Sequence, residues 1–161
     1  MKVAFGSDHA GYGLKNVLIP FVEQLGHKVF DLGNLELDPA DDYPDFARAV
    51  AVAIARGQAD RGVVVCGSGV GASVAVNKVP GVRGAMCHDT FSARQGVEDD
   101  DANVITLGER VVGSALAKEV VKAFLAARFS GAERHRRRLE KVNQIELDAR
   151  TGSFDFPEVK E

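Results

Sequence analysis

The chain has 161 residues, of which 45% are hydrophobic and 27% are charged, and its formal net charge is -3. This length is enough for one domain with a sizeable core, and the composition excludes a largely disordered chain. A small negative charge is not typical of a protein that binds nucleic acid through general electrostatic attraction, so we expect no nucleic-acid partner.

Short β-branched runs alternate with amphipathic segments along the chain. Val63, Val64 and Val65 form one such run, which is typical of a strand buried on both faces. Apolar residues within 14–25 recur at helical spacing, and Pro44 suits the first position of a later helix. In chain order, strands are predicted at 3–5, 29–32, 63–66, 82–87 and 104–107. Helices are predicted at 14–25, 44–56, a short stretch ending near 77, 90–97, 115–129 and 133–145.

This alternation predicts βαβ units, a parallel sheet and an α/β fold. We expect one domain over residues 1–146, followed by a tail at 147–161 that is poorly ordered or packed on a partner. Ligands of such sheets bind at the carboxyl ends of the strands. That rule places four segments on one rim: residues 8–9, residues 66–71, residues 88–101 and the loop after Leu107.

The segment Cys66–Gly71 has three glycines in five residues between a predicted strand and a predicted helix. Such a loop lets the backbone approach an anion. It lacks the lysine of a Walker loop and the G-x-G-x-x-G spacing of a dinucleotide site. Ala72 and Gly69 stand where a cysteine phosphatase needs arginine and a thioredoxin-type site needs its second cysteine. From residue types alone, Cys66 is either a catalyst or an inert buried thiol.

Three other segments carry charge. Asp8 and His9 follow the first strand, and histidines at strand ends are often only structural. The acidic run 98–101 is either a solvated turn or an acid/base group, and it has no spacing that supports a metal site. Arg134 and Arg138 share a helix face that suits a phosphate dianion, although an exposed basic face is the alternative.

Six motifs in register give these segments a common interpretation. Together they resemble the ribose-5-phosphate isomerase B family, which includes galactose- and allose-6-phosphate isomerases, over about residues 1–146. The motifs are Gly6-Ser7-Asp8-His9-Ala10-Gly11, Asp42-Tyr43-Pro44, Cys66-Gly67-Ser68-Gly69-Val70-Gly71, Asn77-Lys78, Asn103-Val104 with Gly108-Glu109-Arg110-Val111-Val112-Gly113, and Arg134-His135 with Arg138.

The resemblance implies a Rossmann-like three-layer α/β/α sandwich with a five-stranded parallel sheet. It implies aldose–ketose isomerisation of a sugar phosphate through a cis-enediolate, with no metal and no organic cofactor. It also implies a homodimer or tetramer whose active sites are shared between subunits. Ribose 5-phosphate is the expected substrate, with allose 6-phosphate or a similar hexose 6-phosphate as the alternative. A non-catalytic sugar-phosphate or nucleotide-binding module is the rival from another class.

The resemblance also implies residue roles. Cys66 is the base, Ser68 bonds a reacting oxygen, and backbone N–H groups of the glycine loop stabilise the oxyanion. Asp8 and Tyr43 hold sugar hydroxyls. The full substrate-binding set that it implies is Asp8, His9, Tyr43, Gly67, Gly69, Val70, Gly71, Asp100, Arg110, Arg134 and Arg138, with the phosphate on His9 and the three arginines.

The chain departs from the family at Asp99, where a ring-opening histidine is usual. A carboxylate acts as an acid at neutral pH only where burial or nearby negative charge, as from Asp100 and Asp101, favours its protonated form. The resemblance implies Asp99 as the ring-opening group, since it stands at that position. Otherwise His88 or His9 takes that role, or the substrate is not ribose 5-phosphate.

The expected location is the cytoplasm. Two cysteines are too few for a disulfide framework, which favours a reducing compartment. The first seven residues lead directly into a strand without a signal-peptide layout. No apolar run reaches the roughly 18 residues of a membrane span, so we expect no membrane partner.

Overall fold

The computed structural model describes residues 1–154, and within them a five-stranded sheet lies between two helical layers. The strands are β1 Lys2–Ser7, β2 Lys28–Asp31, β3 Arg61–Cys66, β4 Gly84–Met86 and β5 Val104–Gly108. The α-helices are α1 Tyr12–Gln24, α2 Tyr43–Ala55, α3 Val70–Val76, α4 Thr90–Asp100, α5 Ser114–Ala126 and α6 Glu133–Thr151, with a 3₁₀ turn at His9–Gly11.

The strands lie in the order β2-β1-β3-β5-β4, and every neighbouring pair is parallel. Successive side chains of a strand point to opposite faces of the sheet, so each strand contributes side chains to two hydrophobic cores. Val63 and Val65 of β3 pack with α1, α4 and α5, whereas Val64 and Cys66 pack with α2 and α3. Burial on both faces explains the uninterrupted valine run, and the predicted α/β/α sandwich is confirmed.

Several helix boundaries differ from the predictions, among them the end of α5 at Ala126 rather than near residue 129, and two differences concern predicted site or tail residues. The acidic run does not interrupt α4, which continues to Asp100 and ends with Asp101 in a left-handed conformation. α6 continues to Thr151 rather than ending near residue 145, so the predicted tail begins inside a helix. Residues 155–161 of that tail lie outside the described residues.

The longer α4 places the acidic run away from the predicted rim. A crossover helix leaves the carboxyl end of one strand and must return to the beginning of the next. The end of α4 therefore lies near the start of β5, where Asp101 pairs with Arg83 at 2.6 Å just before β4. The expectation that all of residues 88–101 share a rim with Cys66 is wrong, because only the beginning of this segment lies there.

A buried lysine ties α1 to the loop after β2. The Lys15 side chain is fully buried, and its Nζ lies 2.7 Å from both carboxylate oxygens of Asp31. The same ammonium donates to the Asn34 carbonyl oxygen at 2.6 Å. All three ammonium hydrogens therefore have acceptors, which a buried charge requires.

Replacing Lys15 with methionine should lower the free energy of unfolding by about 2 kcal/mol, since Asp31 and the Asn34 carbonyl lose their partner. Asp31 is partly exposed, so water offsets some of the loss. Urea denaturation measures the change. Lys122→Met, on an exposed position of α5, is the matched control. Equal stability of the two variants would contradict this role for Lys15.

Candidate active site

A cleft of about 360 Å³ lies at the carboxyl ends of β1, β3 and β5. The sheet is extended in opposite directions from β1 and β3, so this is the switch point where open α/β sheets bind ligands. The structure brings together here eight of the residues implied by the resemblance. The lining residues are Asp8, His9, Ala10, Tyr43, Cys66, Gly67, Ser68, Gly71, Arg110 and Val111.

Cys66 is the last residue of β3 and is 5% exposed, with its side chain at the wall of the cleft. The Gly69 N–H donates to its sulfur atom at 3.0 Å, which holds the thiol in one position. This bond requires the loop to reverse sharply, and Gly69 has a φ of 85° that side-chain-bearing residues rarely adopt. The thiol is thus fixed between the sheet and the glycine loop.

Two glycines from neighbouring loops pack directly on the backbone of this strand end. A Cβ at Gly11 would overlap the Val65 carbonyl oxygen, and one at Gly108 would lie 2.6 Å from the Ser68 carbonyl oxygen. Hydrogen bonds reinforce the contact, because the Arg110 N–H donates to the Gly67 carbonyl at 3.1 Å. The loops after β1, β3 and β5 therefore form one packed unit at the bottom of the cleft.

The glycine loop offers free backbone donors beside the thiol. The Val70 N–H donates to Ser68 Oγ at 3.3 Å, and the Gly69 N–H is committed to Cys66. These two groups are therefore engaged, although the sequence predicted them as substrate contacts. Within residues 1–154 the N–H groups of Gly67, Ser68 and Gly71 have no acceptor. They are the groups left to stabilise an oxyanion.

Aspartate, histidine and arginine side chains line the rest of the cleft. His9 Nδ1 lies 2.7 Å from Asp41 Oδ1, and this hydrogen bond raises the pKa of His9. The bonds that Asp41 accepts from His9 and Asn34 outweigh its desolvation and lower its own pKa. Burial raises the pKa of Asp8, whose Oδ1 accepts from the Gly11 N–H at 3.1 Å. The Arg110 guanidinium lies beside Gly67 and also lines the cleft.

Besides Gly69 and Val70, which belong to the glycine loop but do not line the cleft, four of the implied residues lie outside it in the same chain: Asp99, Asp100, Arg134 and Arg138. These four belong to α4 and α6. Asp99 accepts a 2.8 Å hydrogen bond from Gln95 and lies 3.4 Å from His135 Nδ1. Arg134 Nε donates to His135 Nε2 at 2.7 Å. One chain therefore separates the implied residues into two groups.

His88 also differs from its suggested role. Its Nε2 accepts the Gly108 N–H at 3.0 Å, so this nitrogen is unprotonated. Losing that acceptor would release the loop that carries Arg110. In this arrangement His88 supports the loop and does not offer a proton from Nε2.

Sequence reasoning did not single out two carboxylates that support the site. Asp41 pairs with His9, and Glu109 Oε2 accepts the Leu14 N–H at 2.8 Å at the beginning of α1. Asp41 belongs to the acidic stretch 34–42, which carries no recognisable spacing. Glu109 lies inside a resembling motif, so it could have been noted, but its partner is 95 residues away.

Other kinds of site find no support among the described residues. Residues 1–154 contain no cluster of three histidine, cysteine or carboxylate side chains arranged to hold a metal ion. Both cysteines in that part of the chain are free thiols. The helices described there are too short or too polar to cross a bilayer.

Comparison with known proteins decides the family. Residues 3–142 match the family model described as ribose/galactose isomerase. The chain belongs to the ribose/galactose isomerase family. This confirms the resemblance stated from the motifs, and it makes the chain an enzyme of the sugar-phosphate aldose–ketose isomerase class rather than a binding module.

Relatives within the ribose/galactose isomerase family are similar over most of the chain. A ribose-5-phosphate isomerase B of Escherichia coli K12 is 41% identical over 145 residues, 90% of this chain and 96% of that protein. A D-erythrulose-4-phosphate isomerase of Pectobacterium atrosepticum is 42% identical over 134 residues, 81% and 86% of the two chains. The solved ribose-5-phosphate isomerase B of Clostridium thermocellum has a TM-score of 0.89 and 46% identity, covering 92% of this chain and 99% of that one.

Proposed function

We propose that this isomerase interconverts ribose 5-phosphate and ribulose 5-phosphate through a cis-enediolate with Cys66 as the base. The observation that carries the proposal is a single cleft holding a thiol and free backbone N–H groups together with the His9 and Arg110 cations. Relatives named ribose-5-phosphate isomerase B in Escherichia coli and Clostridium thermocellum support this substrate.

The proposed chemistry follows from the groups that line the cleft. The Cys66 thiolate removes the C2 proton of the open aldose and returns it to C1, while the hydroxyl proton on O2 moves to O1, which gives the ketose. Negative charge that develops on the reacting oxygens faces the N–H groups of Gly67, Ser68 and Gly71. The substrate phosphate lies between His9 and Arg110, and Asp8 and Tyr43 contact the sugar hydroxyls. No metal or cofactor takes part in the proposed reaction.

We propose further that two copies of the chain complete each site. Arg134 and Arg138 are exposed on the same face of α6 and lie outside the cleft of their own chain. A phosphate dianion is bound best by several forked guanidinium donors. A homodimer in which the α6 arginines of one copy reach the cleft of the other would supply them.

An open-chain tetrose 4-phosphate is the second candidate substrate. The expected ring-opening residue, Asp99, is held by Gln95 and lies against His135. His88 is occupied by the Gly108 N–H. A tetrose whose O4 carries the phosphate cannot close a furanose ring, so it needs no ring-opening group. The similarity to a D-erythrulose-4-phosphate isomerase favours the same candidate. A hexose 6-phosphate remains the alternative among larger sugars.

Cys66→Ala should lower kcat for ribose 5-phosphate by at least about 10³-fold, because no other group in the cleft replaces the base. Cys87→Ala is the matched control, since Cys87 is buried outside the cleft and burial raises its pKa to about 11. A coupled ketose assay measures both. Activity of Cys66→Ala within tenfold of the unmodified protein would refute the base.

Mixing two inactive variants tests the shared site. Cys66→Ala and Arg134→Ala, unfolded together and refolded, should recover about a quarter of the normal activity, because half of the dimers are mixed and each holds one intact site. Each variant refolded alone is the control. If mass spectrometry shows mixed dimers but activity stays absent, the sites are not shared.

Asp99→Asn distinguishes the two substrates. If ribose 5-phosphate is the substrate and Asp99 opens its ring, the variant should lose at least about tenfold in kcat for ribose 5-phosphate and little for erythrose 4-phosphate. Steady-state kinetics on both sugars measure this. A protein that prefers erythrose 4-phosphate before the substitution, and is unaffected by it, would support the tetrose instead.

A further inference from the structure

Asp41 lies behind His9 on the side away from the cleft lining. Its Oδ1 faces His9 Nδ1 at 2.7 Å and also accepts the His9 backbone N–H at 3.0 Å. A carboxylate that binds both the ring and the backbone of one histidine fixes the ring orientation and the proton on Nδ1. Nε2 of His9 has no partner within residues 1–154 and is the nitrogen left for a ligand.

Asp41 is itself held in place before any ligand binds. Its side chain is only 6% exposed, and its Oδ2 accepts from Asn34 Nδ2 at 2.9 Å. The Asn34 carbonyl oxygen accepts from the buried ammonium of Lys15, and the Asn34 N–H donates to the Ser7 carbonyl at 2.7 Å. A chain of contacts therefore runs from the interior of α1 through this loop to His9.

We infer that Asp41 is a positioning residue that orients Nε2 of His9 toward the substrate phosphate. The inference rests on the proposed function in one respect, the placement of the phosphate at His9. Asp41 itself does not line the cleft, so it acts through His9 and does not touch substrate.

The charges around His9 explain why such a residue is needed. Three charged groups face the ring: Asp41 and Asp8 raise the pKa of His9, and Arg110 lowers it. Partial desolvation also lowers it, and the hydrogen bond that His9 donates to Asp41 is the largest influence. Without Asp41, a histidine beside an arginine would lose its proton more easily. The phosphate would then lose one of its two cations on this chain.

Asp41→Asn removes the charge and keeps the shape. The pKa of His9, followed by NMR of its ring protons, should fall, because the carboxylate that raises it is gone. Binding of inorganic phosphate and of ribitol 5-phosphate, which cannot isomerise, should weaken several-fold near pH 7.5. The loss should be much smaller at a lower pH at which the NMR titration shows His9 protonated in both proteins. Calorimetry measures the binding. In active protein the loss should appear in KM, with kcat nearly unchanged.

Two controls separate positioning from a structural effect. Glu36→Gln removes a negative charge from an exposed position of the same loop and should leave the His9 titration unchanged. In a His9→Gln background, Asp41→Asn should cause no further pH-dependent loss of phosphate binding. An additional loss there, equal at all pH values, would show that Asp41 only maintains the loop and would overturn the inference.

An unchanged His9 pKa in Asp41→Asn would also overturn it. Neither measurement needs turnover. If the protein isomerised no sugar phosphate, the proposed function would fail while the His9 titration and the pH-dependent binding of ribitol 5-phosphate still tested Asp41. Conversely, an active enzyme whose phosphate binding did not depend on His9 would refute this inference and the placement of the phosphate at His9, and would leave the isomerase activity standing.

Discussion

The site depends on backbone packed against backbone at the carboxyl end of β3. Gly11 and Gly108 bring the loops after β1 and β5 directly onto this strand end, where any side chain would force them apart. The strand is the central one of a parallel sheet and is closely packed on both faces. The loops that contact it are therefore attached to a rigid part of the fold. The thiol of Cys66 and the free N–H groups beside it are therefore held in fixed relation without any bond between side chains.

Electrostatic support for the same cleft comes from a different part of the fold. The ammonium of Lys15 is buried under α1 and fixes the loop containing Asn34, and that loop fixes Asp41 behind His9. The buried ammonium of Lys15 and the position of His9 are thus linked by consecutive hydrogen bonds. Such networks orient a functional side chain more strongly than exposed ion pairs do, because the partners are shielded from water.

Much of the fold could be predicted from local pattern. The five strands were identified because valine-rich runs and glycine stops are local signals, and the cleft was placed correctly by the rule for parallel sheets. The end of α4 was not predicted, because three aspartates have poor helix propensity and the requirement to return to β5 is not local. Because of that error, Asp99 was predicted at the wrong edge of the sheet. The ring-opening role of Asp99 remains a prediction.

By itself, the sequence determined the α/β alternation, the glycine loop with its cysteine, and the family. Each of these is recognised from residue types at fixed spacing along the chain. The tertiary structure decided which charged residues meet. Asp41 reaches His9 across 32 positions, and Glu109 reaches Leu14 across 95. It also decided that Arg134 and Arg138 lie outside the cleft of their own chain. Spacing along the chain carries no information about such contacts, because they arise only when the strands are ordered and the loops are packed at one edge.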